Sequence, residues 1–299
     1  MFIKIFIKRI IKIFNYRIIN PIIIWSNNKN TPIYIYCFLF FFGGNKTKNT
    51  IKVEPNSLWL TITNNEGRET LYWTFYNDFR TRSRSHYNQG LRKRGFEIAE
   101  TYNLPILDFK KDDIILDCGA NNGDLWLYFY FLKIDVKYFA IEPGQIEYNT
   151  LKRNLKNLNK SSIESNIFKI GLGELNKKTQ FFYSPNNADS SIIKPTSYSS
   201  VYTIDVLTLD SFIEKNKLEN KRIKLLKLEA EGYEFEIIIG AIKTIKNIEY
   251  ISADLGPERG EMLECTLPQV TNFLLKNSFE IKSINKERLT VLFKNLNVL

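Results

Sequence analysis

The chain has 299 residues, of which 44% are hydrophobic and 25% charged, with 14 Gly and 9 Pro. This composition is typical of a folded globular protein and excludes a collagen-like or largely disordered chain. The net charge of +10 is unevenly distributed, since residues 1–50 contain eight of the 42 Lys and Arg residues and none of the 32 Asp and Glu residues. The remainder is nearly neutral, which argues against a nucleic-acid-binding protein.

The sequence also disfavours metal and disulfide chemistry. Its three cysteines, Cys37, Cys118 and Cys265, are far apart, and His86 is its single histidine. These residues cannot form a zinc cluster, a Cys-x-x-Cys redox pair or a disulfide framework. We therefore expect no metal site and a reducing, cytoplasmic compartment.

Residues 1–50 form a basic and hydrophobic N-terminal extension. Lys4, Lys8 and Lys12 recur at intervals of four among Ile and Phe residues, so a helix here would carry a basic stripe beside a wide apolar face. The second apolar run, residues 33–42, is far shorter than the roughly 20 residues that span a bilayer. We expect a peripheral anchor at the inner face of the membrane. The alternatives are strands that pack on the main domain, or an upstream segment that is not part of the working protein.

Residues 51–105 are expected to form a cap on the substrate side of the following domain. Within them, residues 79–96 contain six Lys and Arg residues and no acid. Guanidinium groups match the oxygens of phosphates and carboxylates, so Arg82, Arg84 and Arg92 are candidate substrate-binding residues. A solvated charged surface is the alternative interpretation.

Residues 106–299 alternate short apolar runs with amphipathic segments, a pattern typical of a mostly parallel sheet with crossover helices. Strands are predicted at residues 114–116, 138–141, 167–170, 180–183, 202–206, 224–228 and 248–253. Helices are predicted at residues 125–132, 148–158 and 235–245, and a last helix opens with a capping box at residues 266–269. Residues 279–284 and 289–293 are expected to close the chain as an antiparallel hairpin.

Acidic residues follow several of the predicted strands. They are Asp117, Glu142, Glu229, Glu231 and Asp254. In such a sheet, ligands bind beyond the carboxyl ends of the strands, near the point where the strand order reverses. The turn from Gly119 to Gly123 allows the backbone to approach a ligand closely. Glu142 stands where a carboxylate accepts both hydroxyls of an adenosine ribose.

Two cofactors suit this arrangement. A dinucleotide site would show Gly-x-Gly-x-x-Gly, but Asn121 occupies the position of the central glycine. S-adenosylmethionine carries a cationic sulfonium and an ammonium group, and Asp117 would attract the ammonium. The residues favour S-adenosylmethionine, and a NAD-dependent sugar-modifying enzyme is the alternative.

Three ordered motifs resemble those of the FkbM-type methyltransferases: ILDCGANNG at residues 115–123, IEP at residues 141–143, and LKLEAEGYE at residues 226–234. The likeness covers about residues 106–295 and implies a Rossmann-like class I fold. It implies an S-adenosylmethionine-dependent O-methyltransferase, of a family associated with macrolides and with sugars of surface polysaccharides. It also implies a set of cofactor-binding residues, namely Asp117, Gly119, Ala120, Asn121, Gly123 and Glu142.

Methyl transfer to a hydroxyl needs a group that accepts the hydroxyl proton. Glu231 is the first candidate base, with Glu229 and Lys227 as further catalytic candidates. Alternatively, Lys227 and Glu229 simply pair on one strand face, and Glu231 holds the Gly232 turn through backbone N–H groups.

The loop after the strand at residues 248–253 contains three candidate substrate-binding residues, Asp254, Glu258 and Arg259. They could orient sugar hydroxyls, or they could belong to a solvated loop. We expect the acceptor to be a sugar hydroxyl of a surface polysaccharide or glycolipid precursor, free or lipid-linked. A non-catalytic, membrane-associated module that binds a nucleoside or sugar is the other alternative.

Overall fold

The computed structural model describes residues 90–157, 163–184 and 190–298, together with the backbone of three earlier strands. Those strands are β1 (Asn49–Val53), β2 (Trp59–Glu66) and β3 (Glu69–Tyr76), and they form an antiparallel sheet with β2 in the middle. The chain divides into two compact units, residues 1–90 and 91–299. The predicted membrane anchor and the side chains of Arg82 and Arg84 lie outside the described residues.

The second unit alternates strands and helices through most of its length. Its elements are α1 (Leu91–Thr101), a 3-10 turn (Leu104–Ile106), β4 (Ile114–Cys118), α2 (Asp124–Leu132), β5 (Lys137–Ile141), α3 (Gln145–Asn157), β6 (Glu164–Phe168), β7 (Gly171–Leu172), β8 (Lys177–Tyr183), β9 (Ser200–Leu207), α4 (Leu209–Lys215), β10 (Ile223–Leu228), α5 (Glu234–Ile239), a 3-10 turn (Ile245–Asn247), β11 (Ile248–Asp254), β12 (Pro257–Arg259), β13 (Glu264–Cys265), α6 (Leu267–Lys276), β14 (Phe279–Asn285) and β15 (Thr290–Asn295). The unit begins at Leu91. The sequence pattern places the start of the domain further along the chain, at residue 106.

Seven strands form the central sheet, in the order β14-β15-β11-β10-β4-β5-β6. Strands β6, β5, β4, β10 and β11 are parallel, whereas β15 runs antiparallel to both β11 and β14. The predicted parallel sheet and the predicted closing hairpin are therefore confirmed. The sequence pattern did not predict that β15, the last strand of the chain, inserts between β11 and β14.

Two predicted strands belong to a separate small sheet. Strands β8 and β9 cover the runs predicted at residues 180–183 and 202–206, and with β7 they form a three-stranded sheet in the order β7-β9-β8. The buried side chains of β8 and β9 are Phe181, Tyr183, Ile204 and Val206, which pack together.

The two central strands are completely buried. Every residue of β4 and of β10 is buried, as expected for parallel strands that are covered on both faces. Helix α2 is buried through five consecutive residues, 125–129, which confirms the buried helix predicted there. Among the helices of the described residues, none is long and apolar enough to cross a bilayer.

Two helix predictions are corrected by the structure. Helix α5 ends at Ile239 rather than at residue 245, and Gly240 caps it; a Cβ atom at Gly240 would lie 2.1 Å from the Gly173 carbonyl oxygen. The capping box before α6 is not formed, because the Thr266 hydroxyl donates a hydrogen bond to the buried Glu234 carboxylate at 3.0 Å instead.

Candidate functional site

The predicted acids meet at the carboxyl ends of β4, β5 and β10. Strand β4 lies between β5 and β10, so the connections from this point run to opposite sides of the sheet and leave a crevice. The parallel register places Cys118 beside both Ile141 and Leu228. The loop after β4, Glu142 after β5 and Glu229 after β10 therefore share one edge of the sheet.

The glycine turn is shaped by its contacts with neighbouring strands. Gly119 has a φ angle of +73°, and a Cβ atom there would lie 2.0 Å from the Glu229 carbonyl oxygen. The N–H groups of Gly119 and Ala120 both donate to the Ile141 carbonyl oxygen, at 3.0 and 3.1 Å. Glycine is thus required at residue 119 because the turn packs against the end of β10, a reason that the sequence did not reveal.

The Glu142 carboxylate is held at the edge of the glycine turn. Its Oε2 atom accepts the Asn121 N–H at 2.8 Å, and its Oε1 atom accepts the Gly144 N–H at 2.7 Å. Burial, aided by the charge of Glu147, raises the pKa of Glu142 to about 8, although the two N–H bonds oppose this rise. Each carboxylate oxygen retains acceptor capacity for a ligand hydroxyl.

The Asp117 side chain is buried and is bonded to other side chains of the protein. Its carboxyl group is 1% exposed, its Oδ1 atom lies 3.1 Å from the Lys227 Nζ atom, and its Oδ2 atom accepts a hydrogen bond from the Tyr138 hydroxyl. The expectation that Asp117 attracts the ammonium of a cofactor is therefore not supported, because Lys227 already neutralises its charge. Asp117 is linked to the glycine turn through Lys227, whose ammonium also donates to the Gly119 carbonyl oxygen.

Lys227 and Glu229 pair with each other, as the alternative interpretation of the sequence proposed. The Lys227 Nζ atom lies 3.0 Å from Glu229 Oε2. Burial favours the neutral amine, but Asp117 and Glu229 outweigh it and raise the pKa of Lys227. Burial likewise opposes ionisation of Glu229, but the charges of Lys227 and Arg288 bring its pKa down to about 2. Neither residue is suited to accept a proton near neutral pH.

The turn after β10 is held by the Glu234 carboxylate, and the alternative interpretation that Glu231 holds it stays a prediction. The Glu234 Oε1 atom accepts the N–H groups of Ala230 and Gly232, at 2.9 and 3.2 Å. Glu231 has a left-handed φ of +49°, and its carbonyl oxygen accepts the Ser191 hydroxyl at 2.9 Å. The Glu231 side chain is half-buried at the same edge.

Arg288 joins the acids that follow β10 and β11, and sequence reasoning missed it. Its Nη2 atom lies 2.7 Å from Asp254, 3.2 Å from Glu229 and 3.7 Å from Glu258. Burial, with the charges of Asp254 and Glu229, raises the pKa of Glu258 to about 8 against the opposing charge of Arg288. Of these acids Asp254 is 1% exposed, whereas Glu229 is 23% and Glu258 is 29% exposed, so a ligand can reach Glu229 and Glu258.

Two of the predicted substrate-binding arginines, Arg259 and Arg92, lie within the described residues and have different surroundings. The Arg259 guanidinium forms two bonds to the Glu236 carboxylate, at 2.7 and 3.0 Å, and donates to the Gly232 carbonyl oxygen at 2.6 Å. Arg92 is exposed, and its guanidinium lies over the rings of Phe96 and Phe131. Arg259 therefore stabilises the turn, and a substrate role for Arg92 stays a prediction.

These features define a class of protein. A doubly wound sheet with a tight glycine turn after its first strand, and a fixed carboxylate after its second, is a Rossmann-like site for a cofactor that contains a ribose.

A family can also be assigned. The sequence pattern described as the Methyltransferase FkbM domain matches residues 117–280, more than half of the chain. The protein therefore belongs to the FkbM methyltransferase family, and the fold and the enzyme class that the resemblance implied are confirmed.

Individual relatives are distant. The 2-O-methyltransferase NoeI of Sinorhizobium fredii (strain NBRC 101917 / NGR234) is 23% identical over 211 residues, which span 65% of this chain and 84% of NoeI. Methyltransferase 1 of Beauveria bassiana (strain ARSEF 2860) is 25% identical over 155 residues, 45% of this chain and 61% of that protein. The crystal structure of Methyltransferase FkbM from Methylobacillus flagellatus KT has a TM-score of 0.45 at 20% identity, and the match covers 64% of this chain and 45% of that one.

Proposed function

We propose that this protein is an S-adenosylmethionine-dependent O-methyltransferase that methylates a sugar hydroxyl. Membership of the FkbM family supports methyl transfer. The relative NoeI, named a 2-O-methyltransferase, supports a hydroxyl group as the acceptor. The observation that carries the choice of cofactor is the hydrogen bonding of the glycine turn and Glu142.

Four N–H groups of the turn are already bonded within the protein. Those of Gly119 and Ala120 donate to Ile141, that of Asn121 donates to Glu142, and that of Gly123 donates to the Ala120 carbonyl oxygen at 2.8 Å. A pyrophosphate needs free N–H donors at such a turn, whereas S-adenosylmethionine contains no phosphate. The fixed Glu142 carboxylate suits the ribose hydroxyls that S-adenosylmethionine presents. The arrangement therefore fits S-adenosylmethionine and disfavours the NAD alternative.

S-adenosylmethionine, when bound, supplies a methyl group on a positively charged sulfur. The edge of the sheet is suited to a cation, because Lys227 and Arg288 face the four carboxyl groups of Asp117, Glu229, Asp254 and Glu258. The excess of carboxyl groups makes this edge electronegative. Glu142 orients the cofactor in this electronegative environment.

The acceptor hydroxyl must lose its proton as the methyl group arrives. Lys227 is already protonated, and Glu229, with a pKa of about 2, is a weak base. We propose Glu258 as the group that takes the proton, because its carboxyl is partly exposed at this edge and its pKa of about 8 suits proton transfer near neutral pH. Glu231, which lies at the same edge, is the second proposed base.

We also propose that the acceptor belongs to a surface polysaccharide or glycolipid precursor on an anionic or lipid-diphosphate carrier. The basic residues 79–96 and the basic, apolar residues 1–50 support this assignment through their charge. Methyl transfer to a methyl glycoside and to the same sugar on a lipid diphosphate, at low and high salt, tests it. Equal efficiency for both acceptors and no effect of salt would contradict the proposal, since salt screens such contacts.

The cofactor is tested by calorimetric titration of the protein with S-adenosylhomocysteine and, separately, with NAD. We expect S-adenosylhomocysteine alone to bind. In a titration at about pH 9, above the pKa of about 8 of Glu142, Glu142→Ala should weaken its binding by about 1.5 to 3 kcal/mol, the range for hydrogen bonds to a charged group. Glu261→Ala, at an exposed position on the β12–β13 hairpin, is the control and should leave binding unchanged. Tight NAD binding, or a Glu142→Ala variant that binds normally, would overturn the assignment.

A further inference from the structure

The Lys227 ammonium is the centre of the contacts that hold the glycine turn. It donates to the carbonyl oxygens of Gly119 and Cys118, at 2.8 and 3.2 Å. It also lies 3.1 Å from Asp117 and 3.0 Å from Glu229, and its side chain is 4% exposed. One side chain of β10 therefore contacts the last two residues of β4, Asp117 and Cys118, and the first residue of the glycine turn, Gly119.

The ammonium is enclosed by oxygen atoms, two of which accept hydrogen bonds from it and two of which belong to paired carboxylates. A lysine ammonium has three N–H donors and no acceptor, and here four oxygen atoms surround it. No lone pair is available to accept a proton from a substrate. The contacts instead orient the Gly119 carbonyl and neutralise Asp117, so Lys227 acts on the backbone of the turn.

The same strand carries a second buried lysine that serves as a natural comparison. Lys224 lies at the other end of β10, with its side chain 9% exposed and its Nζ atom 2.9 Å from Glu249. Both ammonium groups also lie over a tyrosine ring, Lys224 at 5.0 Å from Tyr250 and Lys227 at 5.1 Å from Tyr102. The two lysines match in burial and in pairing with acids, but Lys227 alone is bonded to the glycine turn.

We propose that Lys227 is a positioning residue: its ammonium fixes the backbone of the turn at residues 117–119 in the conformation that binds the cofactor, and it takes no part in proton transfer. The part of this proposal that concerns cofactor binding rests on the proposed function. The part that concerns the order of the turn does not.

The experiment compares Lys227→Met with Lys224→Met in the full-length chain. Each variant removes a buried ammonium from its acids, Glu249 for Lys224 and both Asp117 and Glu229 for Lys227, so both should lower the melting temperature. Hydrogen exchange of the amides at residues 119–123 should accelerate at least tenfold in Lys227→Met and less than twofold in Lys224→Met. Calorimetry should show at least tenfold weaker S-adenosylhomocysteine binding for Lys227→Met and an unchanged affinity for Lys224→Met.

A second variant, Lys227→Arg, and the measurement on the wild-type protein separate a failure of the positioning role from a failure of folding or of the proposed function. If Lys227→Met does not fold, Lys227→Arg keeps the charge but changes the geometry, and we expect faster exchange at residues 119–123 and at least threefold weaker binding in the folded protein. Exchange and affinity at wild-type levels in the folded variant would overturn the positioning role. If the wild-type protein itself does not bind S-adenosylhomocysteine, the proposed function fails, and the exchange measurement still decides whether Lys227 orders the turn.

Discussion

The two ends of β10 carry charge clusters that are built alike but balanced differently. At the amino end, Lys224 and Arg222 face Asp113 and Glu249, with closest N–O distances of 2.9 to 3.3 Å, so two cations meet two carboxyl groups. At the carboxyl end, Lys227 and Arg288 face a larger set of acids, namely Asp117, Glu229, Asp254 and Glu258. Only the second cluster contains more acids than cations.

This difference in charge balance agrees with the functional role that we propose for the carboxyl-end cluster. Buried charges are tolerated when they are paired, and the amino-end cluster meets that requirement without excess. Carboxyl groups beyond the number needed for pairing cost folding free energy, because they are desolvated beside like charges. Their presence at the end where ligands bind in such sheets supports the role in the reaction that we propose for them.

The largest effect that would sharpen this comparison is expected at Glu258. If Glu258 takes the hydroxyl proton, the rate of methyl transfer should rise with pH towards a plateau above about pH 8, because the carboxylate is the active form. Glu258→Gln should lower kcat at least about 100-fold and abolish the pH-dependent rise. The measurement is the pH profile of kcat with radiolabelled S-adenosylmethionine.

The matched control for Glu258 is Glu261, on the same hairpin, whose side chain is 57% exposed and pairs with Lys194 at 3.0 Å. Glu261→Gln should leave the profile unchanged. A Glu258→Gln enzyme with the wild-type rate and pH profile would mean that Glu258 does not accept the proton, and Glu231 would then be the proposed base.

A smaller effect is expected on the pH dependence of stability. Burial raises the pKa of Glu234 from 4.5 to about 7, so the folded state holds a proton that the unfolded state releases between these values. The contribution is therefore complete below pH 4.5 and is lost as the pH rises to about 7, and it amounts to about 3 kcal/mol. Urea unfolding at pH 5 and pH 8 should show a shallower pH dependence for Glu234→Gln than for the wild type. Glu280→Gln, at an exposed strand position, is the control. Identical pH dependence in the wild type and Glu234→Gln would disprove this account.

The smallest effect is expected on the free energy of unfolding when one of two arginines is replaced. Their side chains are similarly exposed, 46% for Arg222 and 44% for Arg288. Arg288→Gln leaves the buried Asp254 with a long 3.3 Å bond from the Gly256 N–H, so we expect a loss of about 1 to 2 kcal/mol in the free energy of unfolding. Arg222→Gln should cost less than about 1 kcal/mol, because Glu249 keeps its bond to Lys224.

Adding Asp254→Asn to Arg288→Gln should restore part of the lost stability, because the unpaired charge is then removed. Chemical denaturation measures all three proteins. Equal losses for Arg288→Gln and Arg222→Gln would mean that the two ends of β10 do not differ in the way described.

Much of the site could be predicted from residues that are close in sequence. The step from an apolar run to Asp117 and the glycine turn, and from the next run to Glu142, marks the ends of two strands. The alternation of side chains along a strand predicts that Lys227 and Glu229 share a face, and the ion pair between them confirms it. These relations depend on local periodicity, which the amino-acid sequence carries directly.

The remaining features depend on contacts between distant parts of the chain. Arg288 reaches Asp254 and Glu229 because β15 inserts beside β11, pairing Asp254 with Thr290, and no local pattern encodes that neighbour. Asp117 is buried against Lys227 instead of facing a ligand because β4 and β10 are adjacent in register. The sequence alone therefore determined the order of strands and helices and the acids at the strand ends. The tertiary structure decided which of these acids are neutralised, since pairing and burial depend on side chains that approach only when the sheet is assembled.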